Sequence, residues 1–212
     1  MSAKAIVFDI GGVLIDWSPA HLYRRLLPDD AAVADFLGSV CTSAWNQQFD
    51  AGMPFADGIA TLSALHPGKA ALIAAYRDRW EEMLVGEIPG TADLLRGLKA
   101  AGVPVHAISN WSAETFPIAA ARYPVLDLFD VLVVSGRERM VKPDAAIFHL
   151  FLARAGLDAA DCLFIDDNAA NVAAAAAIGF DAILFTDAGR LAADLHARAL
   201  LPVQALPARA AS

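Results

Sequence analysis

Near its N-terminus the chain reads AIVFDIGGV, residues 5–13, a short apolar run that ends in an acidic residue and a pair of glycines. Isoleucine and valine in such a run are typical of a buried strand, and the glycines that follow it are typical of a turn. The stretch therefore predicts a strand at Ala5–Phe8 that presents the carboxylate of Asp9 at one edge of a sheet.

Beyond Pro89, strand-like and helix-like segments alternate at regular spacing. The predicted strands are Val103–Ser109, Val131–Ser135, Cys162–Asp166 and Ala182–Thr186. The predicted helices are Thr91–Ala101, Ala113–Arg122, Asp144–Ala155, Ala169–Ile178 and Arg190–Ala199. This alternation indicates an α/β fold in which helices cover both faces of a parallel sheet. We expect a doubly wound core.

The segment between these two parts has only helical patterns, with no convincing strand before about Gly86. One helix begins at Ser18-Pro19, and the others are predicted at Ala31–Leu37, Ser43–Phe49, Phe55–Leu65 and Lys69–Leu84. We therefore expect an all-helical insertion at residues 17–88. The doubly wound core would consist of residues 1–16 and 89–212.

Composition narrows the class of protein. Of the 212 residues, 57% are hydrophobic and 19% charged, which is enough apolar material for a sizeable core. A net charge of −8 disfavours nucleic acid and anionic membranes as partners. Cys41 and Cys162 lack the spacing of a metal site, and the first residues lack the pattern of a signal peptide. We expect a cytoplasmic protein with buried, reduced thiols, either a monomer or a homodimer.

Polar residues stand where the predicted strands end. Asp9 ends the first strand, Ser109-Asn110 the second and Asp166-Asp167 the fourth, and Lys142 follows the third. The carboxyl ends of parallel strands share one edge, so these groups should meet in one site. Three carboxylates beside one lysine require further positive charge, and Mg²⁺ prefers such oxygen ligands.

Four short motifs occur in order along the chain: FDIGGV at residues 8–13, ISN at 108–110, VKPD at 141–144 and FIDDNAAN at 164–171. Together they resemble the four motifs of the haloacid dehalogenase superfamily and span nearly the whole core. The resemblance implies a hydrolase with a Rossmann-like core and a helical cap of the C1 type.

The resemblance also implies a role for each motif residue. Asp9 would be the nucleophile, and the catalytic set would be Asp9, Ser109 and Lys142. Mg²⁺ would be held by Asp9, the carbonyl of Gly11, Asp166 and Asp167, and the substrate by Ser109, Asn110 and Lys142. The implied activity is a Mg²⁺-dependent phosphatase that hydrolyses a small phosphorylated metabolite through an aspartyl-phosphate. A sugar phosphate is one candidate substrate.

One position departs from the family pattern. Phosphatases of this superfamily usually carry a second aspartate, a general acid and base, where this chain has Gly11. The DxGxV form resembles the bacterial glucose-1-phosphate phosphatase-like branch. One interpretation is therefore a phosphatase that works without the second aspartate, because its leaving group is good or because the substrate or a cap residue supplies the proton. A 2-haloacid dehalogenase is the second, although the fourth motif and Phe148, in place of a tyrosine, fit it poorly. The third is a catalytically weak binding or regulatory protein.

Some cap residues are candidates for selecting the leaving group. They are Trp17, Trp45, Gln48 and Phe49. Aromatic residues at helical spacing are more often part of a core, so each is also a candidate for packing within the cap.

Overall fold

A five-stranded parallel sheet lies at the centre of the protein, in a computed structural model that describes residues 4–201. With elements numbered in chain order, its strands are β1 (Ala5–Phe8), β4 (Val105–Ser109), β5 (Val131–Val134), β6 (Cys162–Asp166) and β7 (Asp181–Leu184). They lie in the order β5-β4-β1-β6-β7, and every neighbouring pair is parallel. The doubly wound α/β fold class is therefore confirmed.

Helices cover both faces of this sheet. They are α6 (Thr91–Ala100), α7 (Phe116–Arg122), α8 (Ser135–Glu138), α9 (Ala145–Ala155), α10 (Ala169–Ile178) and α11 (Ala188–Ala197). Ile6 and Phe8 of β1 pack into the core on one face, and Val7 packs against Phe148 and Phe151 of α9 on the other. Each large apolar side chain buried in this way contributes about 1.5–3 kcal/mol. Strand β1 is wholly buried, so the residue that follows it is held firmly.

The cap consists mainly of five helices between β1 and the rest of the core. They are α1 (Pro19–Tyr23), α2 (Asp30–Ser39), α3 (Ser43–Asp50), α4 (Phe55–Leu65) and α5 (Ala70–Asp78). An aromatic cluster joins them. The rings of Phe49 and Phe55 stack at 4.1 Å, and Trp45 meets Tyr76 edge to face at 5.0 Å. This cluster is continuous with the hydrophobic core on one face of the sheet.

A two-stranded antiparallel ribbon lies where the chain leaves the core and returns to it. It pairs β2 (Ile15–Trp17) with β3 (Leu84–Glu87). The expectation of no strand before about Gly86 is therefore wrong. The helix predicted at Lys69–Leu84 is also wrong at its end, because α5 ends at Asp78 and a 3₁₀ turn spans Trp80–Met83. Each strand is short and its partner is far away in sequence, so no local pattern marks it. The proposed domain limits stay a prediction.

Smaller differences concern where elements begin. The strand expected from Val103 begins at Val105, the strand expected at Ala182–Thr186 is Asp181–Leu184, and the helix expected from Ala113 begins at Phe116. Ser135, expected at the end of a strand, opens α8. The strands Ala5–Phe8 and Cys162–Asp166 have the predicted bounds.

Two further features concern cysteines and membranes. Cys41 and Cys162 are both buried and unpaired, as predicted. Within residues 4–201, no helix combines the length and the apolarity that crossing a bilayer requires. The segment after Leu201 contains two prolines and many small residues, so we expect it to be loose, but it lies outside the described residues.

Candidate active site

Asp9 stands directly after β1, at the carboxyl edge of the sheet. Its backbone N–H donates to the carbonyl of Ile165 at 2.8 Å, and its Oδ1 accepts a hydrogen bond from the N–H of Ile10 at 2.7 Å. The ammonium of Lys142 lies 2.9 Å from the same Oδ1 and 2.6 Å from Oδ2 of Asp166. One buried cation thus bridges the carboxylates at the ends of two neighbouring strands.

Asp166 is fully buried, and protein donors surround both of its oxygens. The side-chain amide of Asn171 lies 3.0 Å from each oxygen, and the N–H of Asn168 donates to Oδ1 at 2.8 Å. Together with Lys142, these donors satisfy most of what a carboxylate can accept. The visible role of Asp166 is therefore to hold Lys142 beside Asp9.

Asp167 completes a group of three carboxylates. One oxygen from each of Asp9, Asp166 and Asp167 lies within 4.8 Å of the others. Gly12 makes room for this approach, because a Cβ at this position would lie 2.2 Å from Oδ2 of Asp167. Its φ of +77° also lies in the region that favours glycine. The turn after β1 is therefore shaped to accept the third carboxylate.

The charges in this group shift one another's pKa. Burial raises the pKa of Asp9 to about 7, opposed by Lys142 and assisted by Asp166. Burial, with Asp166, also raises the pKa of Asp167. Burial on its own would lower the pKa of Lys142, but Asp9 and Asp166 outweigh it and raise that pKa, so the lysine stays charged. Three acids beside one cation leave an excess of negative charge.

Ser109 and Asn110 follow β4 at the same edge. Ser109 is 1% exposed, and its hydroxyl has no hydrogen-bond partner among the described residues. A buried hydroxyl without a partner is costly and is typical of a ligand site. The side chain of Asn110 donates to the carbonyl of Lys142 at 2.9 Å and accepts from its N–H at 2.8 Å. Asn110 thus holds the loop of Lys142, and its predicted contact with substrate stays a prediction.

A cavity of about 50 Å³ lies between the cap and the core at this edge. Its aromatic lining consists of Trp17, Phe55, Trp80 and Trp111. The other lining residues are Gly11 and the polar Asn46, Asp50, Asn110, Ser112 and Thr115. Core and cap residues both contribute to this lining.

Of the cap candidates named from the sequence, Trp17 lines this cavity. Trp45 and Phe49 are buried in the aromatic cluster of the cap helices, and Gln48 lines a separate groove. Sequence reasoning missed Asp50, because only the packing of the cap on the core brings it to this cavity.

Known proteins share both the sequence pattern and the fold. The model of the haloacid dehalogenase-like hydrolase family matches residues 3–179. The sesquiterpene phosphatase astK of Aspergillus oryzae is 31% identical over 87% of this chain and 90% of its own length. An (S)-2-haloacid dehalogenase of Pseudomonas fluorescens is 37% identical, over 42% of this chain and 40% of that protein.

Among solved structures, a HAD family enzyme of Bacteroides thetaiotaomicron in complex with magnesium and inorganic phosphate has the same fold. Its TM-score is 0.66 at 23% identity, covering 87% of this chain and 95% of that one. The family match extends through all four motifs, whose residues meet at one edge of the sheet. This chain therefore belongs to the haloacid dehalogenase-like hydrolases.

Proposed function

We propose that this hydrolase is a Mg²⁺-dependent phosphatase that acts on a small phosphate monoester through an aspartyl-phosphate on Asp9. The observation that carries the proposal is the grouping of Asp9, Asp166 and Asp167 within 4.8 Å, with Lys142 as a bridging cation. A site with an excess of carboxylates suits a divalent cation together with a phosphoryl group.

The residues present fit a bound Mg²⁺. Asp9, Asp167 and the carbonyl of Gly11 would hold it, and Asp166 would act beside them, directly or through water. The room that Gly12 leaves for Asp167 and the unpartnered hydroxyl of Ser109 both suit a bound cation and anion. When bound, Mg²⁺ supplies positive charge that offsets the charge on the phosphoryl oxygens.

The side chains of this chain can carry out the two displacements. A carboxylate oxygen of Asp9 attacks phosphorus, the bond from phosphorus to the leaving oxygen breaks, and that oxygen takes up a proton. Ser109 donates a hydrogen bond to a phosphoryl oxygen, and Lys142 offsets its charge. Water then attacks the aspartyl-phosphate, phosphate leaves, and Asp9 is regenerated.

The cavity lining indicates the kind of organic group that the enzyme would accept. Four aromatic rings favour an apolar face. The indole N–H groups of Trp17 and Trp111 lack partners among the described residues and could donate to an oxygen. A sugar phosphate fits this combination, and so does a phosphorylated terpenoid alcohol, the second supported by the likeness to a sesquiterpene phosphatase. Both classes belong in a substrate panel.

The dehalogenase alternative is supported by the likeness to an (S)-2-haloacid dehalogenase over fewer than half of the residues. Two observations weigh against it. The fourth motif carries the paired acids Asp166-Asp167, where dehalogenases have S-x-N-x-x-D. Phe148 also stands where they have a tyrosine, and it is buried against Phe164 and Phe180. We therefore rank the phosphatase first.

The deciding experiment measures hydrolysis of p-nitrophenyl phosphate with and without Mg²⁺, beside an Asp9→Asn variant. We expect metal-dependent turnover that disappears in the variant. Chloride release from 2-chloropropionate without metal would instead establish a dehalogenase. Mg²⁺ binding with no turnover on a broad phosphate panel would indicate a binding or regulatory protein.

A further inference from the structure

The reaction proposed above lacks a proton donor at the position that normally provides it. An alkoxide is a poor leaving group, and general acid help is typically worth about 10²–10⁴-fold in rate. The family's second aspartate is replaced by Gly11, which lines the cavity between cap and core. A Cβ at Gly11 would have no heavy atom within 4 Å, so space for a proton-transferring group exists there.

The cap brings a different carboxylate to the same cavity. Asp50 is the last residue of α3 and lines the cavity together with Gly11. The side-chain amide of Asn46 donates to its Oδ2 at 2.9 Å, and Tyr76 donates to Oδ1 of Asn46 at 2.8 Å. This chain of hydrogen bonds orients the carboxylate from the cap side.

The core holds Asp50 from the other side. The hydroxyl of Ser135, in α8 of the core, donates to the backbone carbonyl of Asp50 at 2.6 Å. Asp50 is therefore anchored across the boundary between the two parts, among the residues that line the cavity beside Gly11.

The surroundings of Asp50 suit proton transfer at neutral pH. Burial raises its pKa to about 7, against the opposing effects of the Ser112 backbone and the charge of Lys142. The charge of Lys142 acts on Asp50 from the core. The nearby acid on α5 is Tyr76, and burial raises its pKa far above the ordinary value, so it stays neutral. A carboxyl group with a pKa close to the working pH can both give and take a proton.

We propose that Asp50 is the general acid and base that replaces the missing second aspartate. In the first displacement its carboxyl proton passes to the leaving oxygen as the bond to phosphorus breaks, which leaves Asp50 ionised. In the second, the ionised carboxylate takes a proton from the water that attacks the aspartyl-phosphate, so Asp50 ends the cycle protonated. This role rests on the proposed phosphatase activity.

The test compares substrates that differ in their need for a proton. The leaving group of p-nitrophenyl phosphate departs unaided, whereas benzyl phosphate, of similar size, releases an alcohol. We expect Asp50→Asn to lower kcat/KM for benzyl phosphate by about 10²–10⁴-fold and for p-nitrophenyl phosphate only slightly. The variant should also give a burst of nitrophenol, because the second displacement becomes slow. Asp35→Asn, an exposed cap carboxylate, is the matched control and should change neither rate.

A rescue completes the test. Gly11→Asp restores a carboxylate where the structure leaves space, so it should recover the benzyl phosphate rate in both Asp50→Asn and Asp50→Ala backgrounds, each checked for folding by circular dichroism. Equal losses for the two substrates, or no recovery with Gly11→Asp, would overturn the role of Asp50. A wild-type protein inactive on every phosphate ester would overturn the phosphatase proposal itself, and the role of Asp50 with it.

Discussion

Lys142 shows how much one side chain contributes to this site. Its ammonium is fully buried and lies within 3 Å of carboxylates at the ends of two strands. Burying three charges is costly unless they neutralise and hydrogen-bond one another. The lysine therefore neutralises carboxylates that would be costly to bury without it.

We predict that Lys142→Met lowers the free energy of unfolding by about 3–5 kcal/mol, because it leaves two carboxylates buried beside an apolar group. Urea denaturation at pH 7.5 measures this. Lys4→Met is the control: it removes an ion pair with Asp161 in which the lysine side chain is 71% exposed, and it should leave the urea midpoint nearly unchanged. Equal losses in both variants would contradict the prediction.

Asp50 should make stability depend on pH in a defined direction. Its pKa is raised from 3.8 to about 7 in the folded protein. Between these two values the unfolded chain is ionised while the folded one keeps its proton, so rising pH favours unfolding. Asp50→Asn removes this effect. The free energy of unfolding of the variant, minus that of the wild type, should therefore increase from about pH 4 to about pH 7 and stay constant above pH 7.

Urea midpoints of the variant and the wild type at pH 4, 5.5, 7 and 8 measure this gap in stability, with Asp35→Asn as the exposed control. A gap that stays the same at every pH would show that Asp50 ionises in the folded protein as easily as in the unfolded chain.

At the scale of elements, the turn after β1 places the groups of the site. Its two glycines are not equivalent. Gly12 has a positive φ and touches Asp167, whereas Gly11 has open space on its side-chain side. The same residue type thus serves close packing at one position and leaves a gap at the next.

We predict that Gly12→Ala displaces Asp167 and weakens Mg²⁺ binding by about 10–100-fold, as expected when a group that positions a ligand is disturbed. The measurement is the rise in Tm with increasing Mg²⁺ concentration, which follows the occupancy of the site. Gly11→Ala has no such clash and should keep the wild-type response. A similar response in both variants would show that Asp167 does not hold the metal.

The strand ends could be predicted from sequence, because buried β-branched runs such as Ala5–Phe8 and Cys162–Asp166 stand next to polar residues. The ribbon could not. Its strands Ile15–Trp17 and Leu84–Glu87 are short, and they depend on a partner that only the folded chain supplies. Asp50 escaped prediction for the same reason: a carboxylate at the end of α3 is ordinary until the cap meets the core.

At the scale of the whole molecule, direct contacts hold the cap on the core. Glu114, in a core loop, accepts a hydrogen bond from the N–H of Phe55 at 2.9 Å and lies 3.7 Å from the guanidinium of Arg77. Both partners belong to the cap. Because the cavity lies between the two parts, these contacts help to determine how closed it is.

We predict that Glu114→Ala weakens closure by about 1 kcal/mol, which changes the ratio of closed to open molecules about fivefold. Three of the four tryptophans line the cavity, so acrylamide should quench the fluorescence of the variant more strongly. Glu138→Ala is the control, since Glu138 pairs with Arg154 within the core. Stronger quenching in both variants would mean that the change is not specific to the cap.

The ribbon of β2 and β3 has a consequence beyond this protein. The pairing of Ile15 with Glu87 brings the start and the end of the insertion side by side. A segment whose two ends meet can be exchanged for another of different length without moving the sheet to which it is attached. Replacing residues 17–84 with the cap of a relative, joined through the same pair of strands, is therefore a direct route to new substrate selectivity on an unchanged catalytic base.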